Sequence, residues 1–110
     1  LRVKKYSEEK TSDLVNAAAS CNTPVVEWLG QNGSMINRVA KNGQTPIYWA
    51  LTSFQNSKDL RGDCIMTIDY LFRKGADLNY KGTKGESSLA LIEQMKDKKK
   101  YAMAYLVKRN

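Results

Sequence analysis

Residues 42–50 read NGQTPIYWA, and other parts of the chain repeat this stretch in degenerate form. NGQTPI at 42–47 aligns with KGESSL at 84–89, and the preceding NGSMIN at 32–37 aligns with KGADLN at 74–79, both at an offset of 42 residues. A shorter offset of 33 relates four upstream residues to their counterparts: Ser12 to Thr45, Leu14 to Ile47, Ala17 to Ala50 and Ala18 to Leu51. The underlying period is therefore 33, and the second unit carries nine extra residues between Leu51 and about Ile65.

Each copy also carries residues that start and end helices. Thr45 and Ser87 are N-cap types whose hydroxyls accept hydrogen bonds from exposed backbone N–H groups, and Pro46 suits the first helical position. Gly33 and Gly75 follow apolar-periodic segments, where a left-handed C-cap favours glycine. Between one such end and the next start lies a polar stretch suited to a projecting turn or hairpin, which we call a finger. The pattern predicts helix, loop, helix and finger, repeated.

A period of 33 with a TPLHxA-like core resembles the ankyrin repeat family. The second unit carries the resemblance best, through GQTPIY and Ala50 in its first half (43–50) and GADLN (75–79) at its end. Units one and three are degenerate, because SDL (12–14) and SSL (87–89) stand in place of TPL, and Tyr48 replaces the usual histidine. The resemblance covers about residues 12–107. It implies an all-α helix-turn-helix solenoid with projecting β-turn or hairpin fingers.

The length of 110 residues suits a single domain, 1–110. One ankyrin-type unit cannot bury its apolar face alone, and about three are needed. We divide the chain into an N-terminal extension at 1–11, units at 12–44 and 45–86, and a terminal capping unit at 87–110.

The nine-residue insertion lies near 52–63. It is either a loop or an extension of the first helix with Phe54 tucked against the first unit, and we favour the extended helix. In the last unit, four residues follow i, i+3, i+4 spacing and are expected to form the seam that closes the stack: Tyr101, Ala104, Tyr105 and Leu106.

The chain has no histidine, which removes Ser–His and Cys–His nucleophile pairs and histidine metal ligands. Its carboxylates are too scattered for a catalytic dyad or a metal cage. We therefore predict no catalytic residues, no metal and no cofactor. Cys21 and Cys64 fall near the start of successive second helices, whose axes in a stack lie roughly 8–10 Å apart. That spacing suits a disulfide poorly, so two thiols are favoured over a bridge.

The resemblance implies a protein–protein interaction module that binds its partner in the concave groove between fingers and first helices. The position after the family's histidine is expected to face this groove; here it is Trp49, with Asn16 and Leu91 at equivalent positions. A groove-facing aromatic is suited to anchor an interface. The alternative is that Trp49 packs against the N-terminal extension or the insertion. Finger residues expected to contact the partner are Arg38, Lys41, Gln44, Tyr80, Lys81 and Lys84.

The net charge of +7 is concentrated at the C-terminal end, where residues 96–110 hold six basic and one acidic side chain. Both fingers are also basic, so we expect a monomer that binds a protein with an acidic or mixed surface. The alternative function is binding of an anionic partner (acidic protein, nucleic-acid backbone or lipid surface) through the lysine-rich end. Little interleaving of aromatic and basic residues argues against specific nucleic-acid recognition. Candidates for this second surface are Phe54, Leu60, Lys98, Lys99 and Lys100.

No apolar run approaches the ~18 residues of a membrane span, and the N-terminal LRVKK is too short and too charged for a signal peptide. The chain begins without Met, which leaves open a processed upstream segment or a larger parent protein. We expect a soluble protein, with a cytoplasmic location preferred to export after signal cleavage.

Overall fold

A computed structural model describes the backbone of residues 6–33, 36–39 and 43–110, and the side chains of residues 13–31, 36–39 and 43–110. Within these ranges the chain forms helices and no strand, and one isolated antiparallel bridge joins Lys81 to Ser87. The all-α class is confirmed. The helices are α1 (Tyr6–Ala19), α2 (Thr23–Gly33), α3 (Pro46–Asn56), α4 (Gly62–Arg73), α5 (Ser88–Gln94) and α6 (Asp97–Arg109).

The helices pack in consecutive pairs that also contact one another in order. α1 contacts α2, α3 contacts α4, and α5 contacts α6; in addition, α3 contacts both α1 and α5, while α4 contacts both α2 and α6. The core between them draws on all six helices. Its most deeply buried side chains include Leu14, Ala18, Val26, Ile47, Leu51, Phe54, Ile68, Leu71, Leu91 and Met103.

The predicted starts of α3 and α5 are confirmed, although only one of the two caps uses its hydroxyl. Ser87 is extended, and its Oγ accepts a hydrogen bond from the Ala90 N–H at 3.1 Å. Thr45 is also extended and is followed by Pro46 at the first helical position, but its side chain makes no capping bond. The proline fixes the helical backbone there and removes one donor that needs an acceptor.

The predicted glycine C-cap is confirmed at the end of α4. Gly75 has φ of +90°, and the Ala76 N–H returns to the Leu71 carbonyl at 3.0 Å. Only glycine adopts this left-handed backbone without a steric penalty, so the helix ends here and the second finger begins.

Two helix boundaries bear on the sequence predictions. α1 already includes Tyr6, so Ser12, the counterpart of Thr45 in the repeat, lies inside the helix and not at its start. In the second unit, α3 spans 11 residues while the equivalent α5 spans seven, and a short loop follows it at 57–61. Phe54 on the added turn is fully buried. The extended helix that we favoured for the insertion is therefore confirmed.

The predicted seam on the last helix is confirmed at Leu106 and wrong at Tyr101, Ala104 and Tyr105. Met103 and Leu106 are buried in α6, whereas Tyr101 and Tyr105 are 83% and 64% exposed. The sequence carries two overlapping apolar stripes with i, i+3, i+4 spacing, and periodicity alone does not tell which one faces inward. Packing against α4 and α5 selects the stripe that contains methionine and leucine.

The prediction of two free thiols is also wrong. Cys21 and Cys64 form a disulfide, with their Cα atoms 4.7 Å apart. Cys21 lies in the turn between α1 and α2 with φ of +55°. The spacing between helix axes therefore does not set its distance from Cys64. Near the bridge, the hydroxyls of Thr23 on α2 and Thr67 on α4 lie 2.7 Å apart and are hydrogen-bonded. The bridge links the first helix pair to the second.

Candidate protein-binding surface

The two fingers are joined by hydrogen bonds at both ends of the first finger. At its start, the Asn37 side chain donates to the Gly75 carbonyl at 3.0 Å and accepts from the Asp77 N–H at 2.7 Å. At its end, the Gln44 amide donates to the Glu86 carbonyl at 2.7 Å. These contacts fix the second finger against the first.

Tyr48 ties the second finger to α3. Its hydroxyl donates a short hydrogen bond to the Glu86 carboxylate, which also accepts from the Gln94 amide at 3.3 Å. The hydrogen bond to Glu86, followed by desolvation and the carboxylate charge, raises the pKa of Tyr48 to about 12. The phenol stays protonated near neutral pH and bonds to the second finger.

Trp49 lies next to this network on the same helix. Its ring meets the Tyr48 ring edge to face, with centroids 5.3 Å apart and an interplanar angle of 84°. The side chain is half-buried, and its indole Nε1 is buried without a hydrogen-bond partner among the described residues. One edge of the indole thus packs inside while the rest of the ring contributes to the surface.

The structure leaves most of the predicted groove residues accessible. Trp49 and Tyr80 are half-buried, and Lys41 lies outside the described residues. Two predictions are wrong: Gln44 is 7% exposed because its amide bonds the second finger, and Leu91 is 4% exposed because it belongs to the core. The exposed members are Asn16, Arg38, Lys81 and Lys84.

The residues of the predicted second surface also differ in their exposure. Phe54 is fully buried and cannot belong to it, whereas Leu60 is 43% exposed. Lys99 is half-buried and donates to the Gln55 carbonyl at 3.0 Å and to the Ser57 carbonyl, so it anchors α6 to the end of α3. Lys98 and Lys100 are exposed, and Lys100 donates to the Glu93 carbonyl at 3.2 Å.

Two residues that organise this surface, Asn37 and Glu86, were not among the predicted binding residues. Asn37 aligns with Asn79 in the repeat. An asparagine present in both copies indicates a role in the turn, so the sequence did carry a signal for Asn37. Glu86 had no such signal, since its contacts with Tyr48 and Gln44 join residues 38 and 42 positions apart. They exist only because one helix pair packs on the next.

The described residues contain no group of three or more potential metal ligands from His, Cys, Asp and Glu. In the same part of the chain, none of the helices is both long and apolar enough to cross a membrane. The surface described above consists of aromatic, amide and basic side chains.

No family model matches the sequence, and no curated protein matches it. The ankyrin resemblance therefore rests on the residues of the chain itself.

Proposed function

We propose that this chain is a non-catalytic protein-binding domain, built as an ankyrin-like solenoid, whose partner docks on the concave surface between the fingers and the first helices. The observation that carries the proposal is the half-exposed Tyr48–Trp49 pair on α3, held beside a finger that hydrogen bonds fix in place. A rigid aromatic patch buries much area at little entropic cost, which is how interface anchors act.

The solenoid assignment has support from the order of helix contacts. First helices α1, α3 and α5 contact in sequence, and second helices α2, α4 and α6 do the same. A stack of similar units would give this pattern, because each unit contacts only its neighbours. The repeat period of 33 residues points to the same architecture.

The charge of the fingers defines the partner's chemistry. Arg38, Lys81 and Lys84 in the two fingers are exposed. A protein with an acidic or mixed surface complements this arrangement. Charges at the rim chiefly raise the association rate and exclude wrong partners, while the aromatic centre supplies affinity.

Site-specific photo-crosslinking tests the location of the surface. Benzoylphenylalanine at Asn16 or Lys84 reports on the groove, and the same group at Met66 reports on the exposed side of α4. We expect a partner from the native source to crosslink from the first two positions and not from Met66. Crosslinks from Met66 alone would place the partner on the second helices and contradict the proposal.

Calorimetry with the recovered partner then tests the anchor. Trp49→Ala is expected to weaken binding about tenfold or more, and Lys84→Glu to slow association. Met66→Ala is the matched control and leaves the affinity unchanged. Circular dichroism and melting temperature separate lost contacts from lost fold, and a folded Trp49→Ala protein with wild-type affinity would rule out the groove.

A further inference from the structure

The side of α6 that faces away from Met103 and Leu106 carries two exposed tyrosines between two lysines. We call this stripe the α6 outer face and define it by Lys98, Tyr101, Ala104, Tyr105 and Lys108. Steps of three and four residues bring these side chains onto one side of a helix. Tyr101 and Tyr105 are 83% and 64% exposed. Within the described residues, no hydrogen bond or ring contact involves either tyrosine.

α6 is anchored at both ends, so this face is rigid. Near its start, Lys99 donates to carbonyl groups at the end of α3. At its end, Asn110 donates to the Asp69 carboxylate at 3.1 Å, and Arg109 lies 3.9 Å from the same group. A surface that is already ordered loses little conformational entropy when a partner binds.

The charge of the face selects an acidic partner. Residues 96–110 hold six basic side chains and one acidic side chain. Lys98 and Lys108 lie at the two ends of the stripe and are exposed. Tyrosine is enriched at protein interfaces, because its ring combines apolar area with a polar tip.

The surroundings of the face favour a polypeptide over a nucleic acid or a lipid surface. The start of α6 borders an open depression of about 550 Å³ that is lined by Leu60 and two carboxylates, Asp59 and Asp97, as well as lysines. A single convex helix lacks the positively charged groove in which single-stranded nucleic acids bind. α6 also packs Met103 and Leu106 inside, so they are not available to insert into lipid.

We propose that the α6 outer face docks an acidic amphipathic helix of another protein. The partner's apolar side chains cover Tyr101 and Tyr105, and its carboxylates reach Lys98 and Lys108. This surface goes beyond the groove, shares no residue with it and does not depend on it.

Fluorescence anisotropy with a synthetic helix tests the proposal on the full chain. The probe carries leucine on one face and glutamate on the other; a second probe has lysine in place of glutamate. We expect the acidic probe to bind and the basic one not to. Tyr101→Ser with Tyr105→Ser should weaken binding at least about tenfold. Lys108→Gln should weaken it several-fold, and less so in high salt.

Matched controls remove a similar group elsewhere. Met66→Ser removes an exposed apolar side chain from α4, and Lys74→Gln removes one charge from the end of that helix; both should bind the acidic probe as the wild type does. Wild-type affinity in the folded double tyrosine variant would overturn the proposal. So would tyrosine-dependent binding of oligothymidine, or of phosphatidylcholine vesicles with one part in five phosphatidylserine, in the absence of binding to the acidic helix.

Discussion

Tyr48 connects α3 to the second finger through its hydroxyl group. It projects from α3, bonds the carboxylate of Glu86 in the second finger, and packs edge to face with Trp49. Because the acceptor is charged and the contact is partly buried, this hydrogen bond is stronger than one between neutral exposed groups. A tyrosine thus provides a contact between units at the position where the ankyrin pattern has histidine.

We predict that Tyr48→Phe lowers the free energy of unfolding by about 1–2 kcal/mol at neutral pH, since it removes a hydrogen bond to a charged group. Urea denaturation measures the change. Tyr80→Phe is the control, because the Tyr80 hydroxyl has no such bond within the described residues, and it should leave the urea midpoint unchanged.

The pH dependence of this difference follows from the raised pKa. Tyr48 binds its proton more tightly in the folded state, with a pKa of about 12 against 10.0 for an unperturbed tyrosine. The stabilisation is fully present below pH 10 and is lost as the pH rises towards 12, because the unfolded chain releases its proton first. A difference between wild type and Tyr48→Phe that stays constant over this range would contradict the assignment.

At the scale of elements, the two fingers approach each other so closely at Gly82 that a side chain would not fit there. A Cβ atom on Gly82 would lie 2.2 Å from the Gln44 amide nitrogen and 2.8 Å from the Gly43 carbonyl oxygen. Gly82 does not have positive φ, so its constraint is steric, not conformational. The second finger packs on the first through its backbone at this point.

We predict that Gly82→Ala costs about 1–3 kcal/mol, as overpacking at a tight contact does. Gly62→Ala is the matched control: a Cβ there meets nothing within 4 Å, and alanine at the start of α4 should be neutral or slightly stabilising. Urea midpoints compare the two. Adding Gln44→Ala to Gly82→Ala should recover part of the loss, and strictly additive effects would argue against this contact.

The elements also separate what local sequence encodes from what packing decides. Three boundaries were predictable: the start of α3 at Pro46, the cap of α5 at Ser87 and the end of α4 at Gly75. Each of these residues acts on the backbone within a few positions of itself. Ser12, by contrast, does not start α1 as Thr45 starts α3, since a helix passes an internal serine whenever the preceding residues can also be helical. The buried stripe of α6 depended on its neighbours.

The disulfide is the strongest constraint on the molecule as a whole. It joins residues separated by 43 positions and connects the turn after α1 to the first turn of α4. A covalent link between residues so far apart in the sequence restricts the unfolded chain considerably. Such bridges persist in oxidising compartments and are rare in the cytosol.

We predict that reduction lowers the free energy of unfolding by about 3–4 kcal/mol, the entropy of closing a loop of this length in the unfolded chain. Urea denaturation with and without reductant measures the loss. The Cys21→Ala, Cys64→Ala double variant should resemble the reduced protein and should not respond to reductant. Equal midpoints for the oxidised and reduced wild type would show that the bridge does not stabilise the fold.

The sequence by itself determined the helical class, most helix boundaries near the fingers and the basic character of the C-terminal end, because repeat period, caps and charge are local properties of the chain. Only the tertiary structure decided that Cys21 reaches Cys64, that Gln44 and Glu86 join the fingers, and that Tyr101 and Tyr105 face outward. Each of these depends on how one helix pair lies against the next. The distances between residues some 40 positions apart are fixed by packing and are not encoded in any single segment.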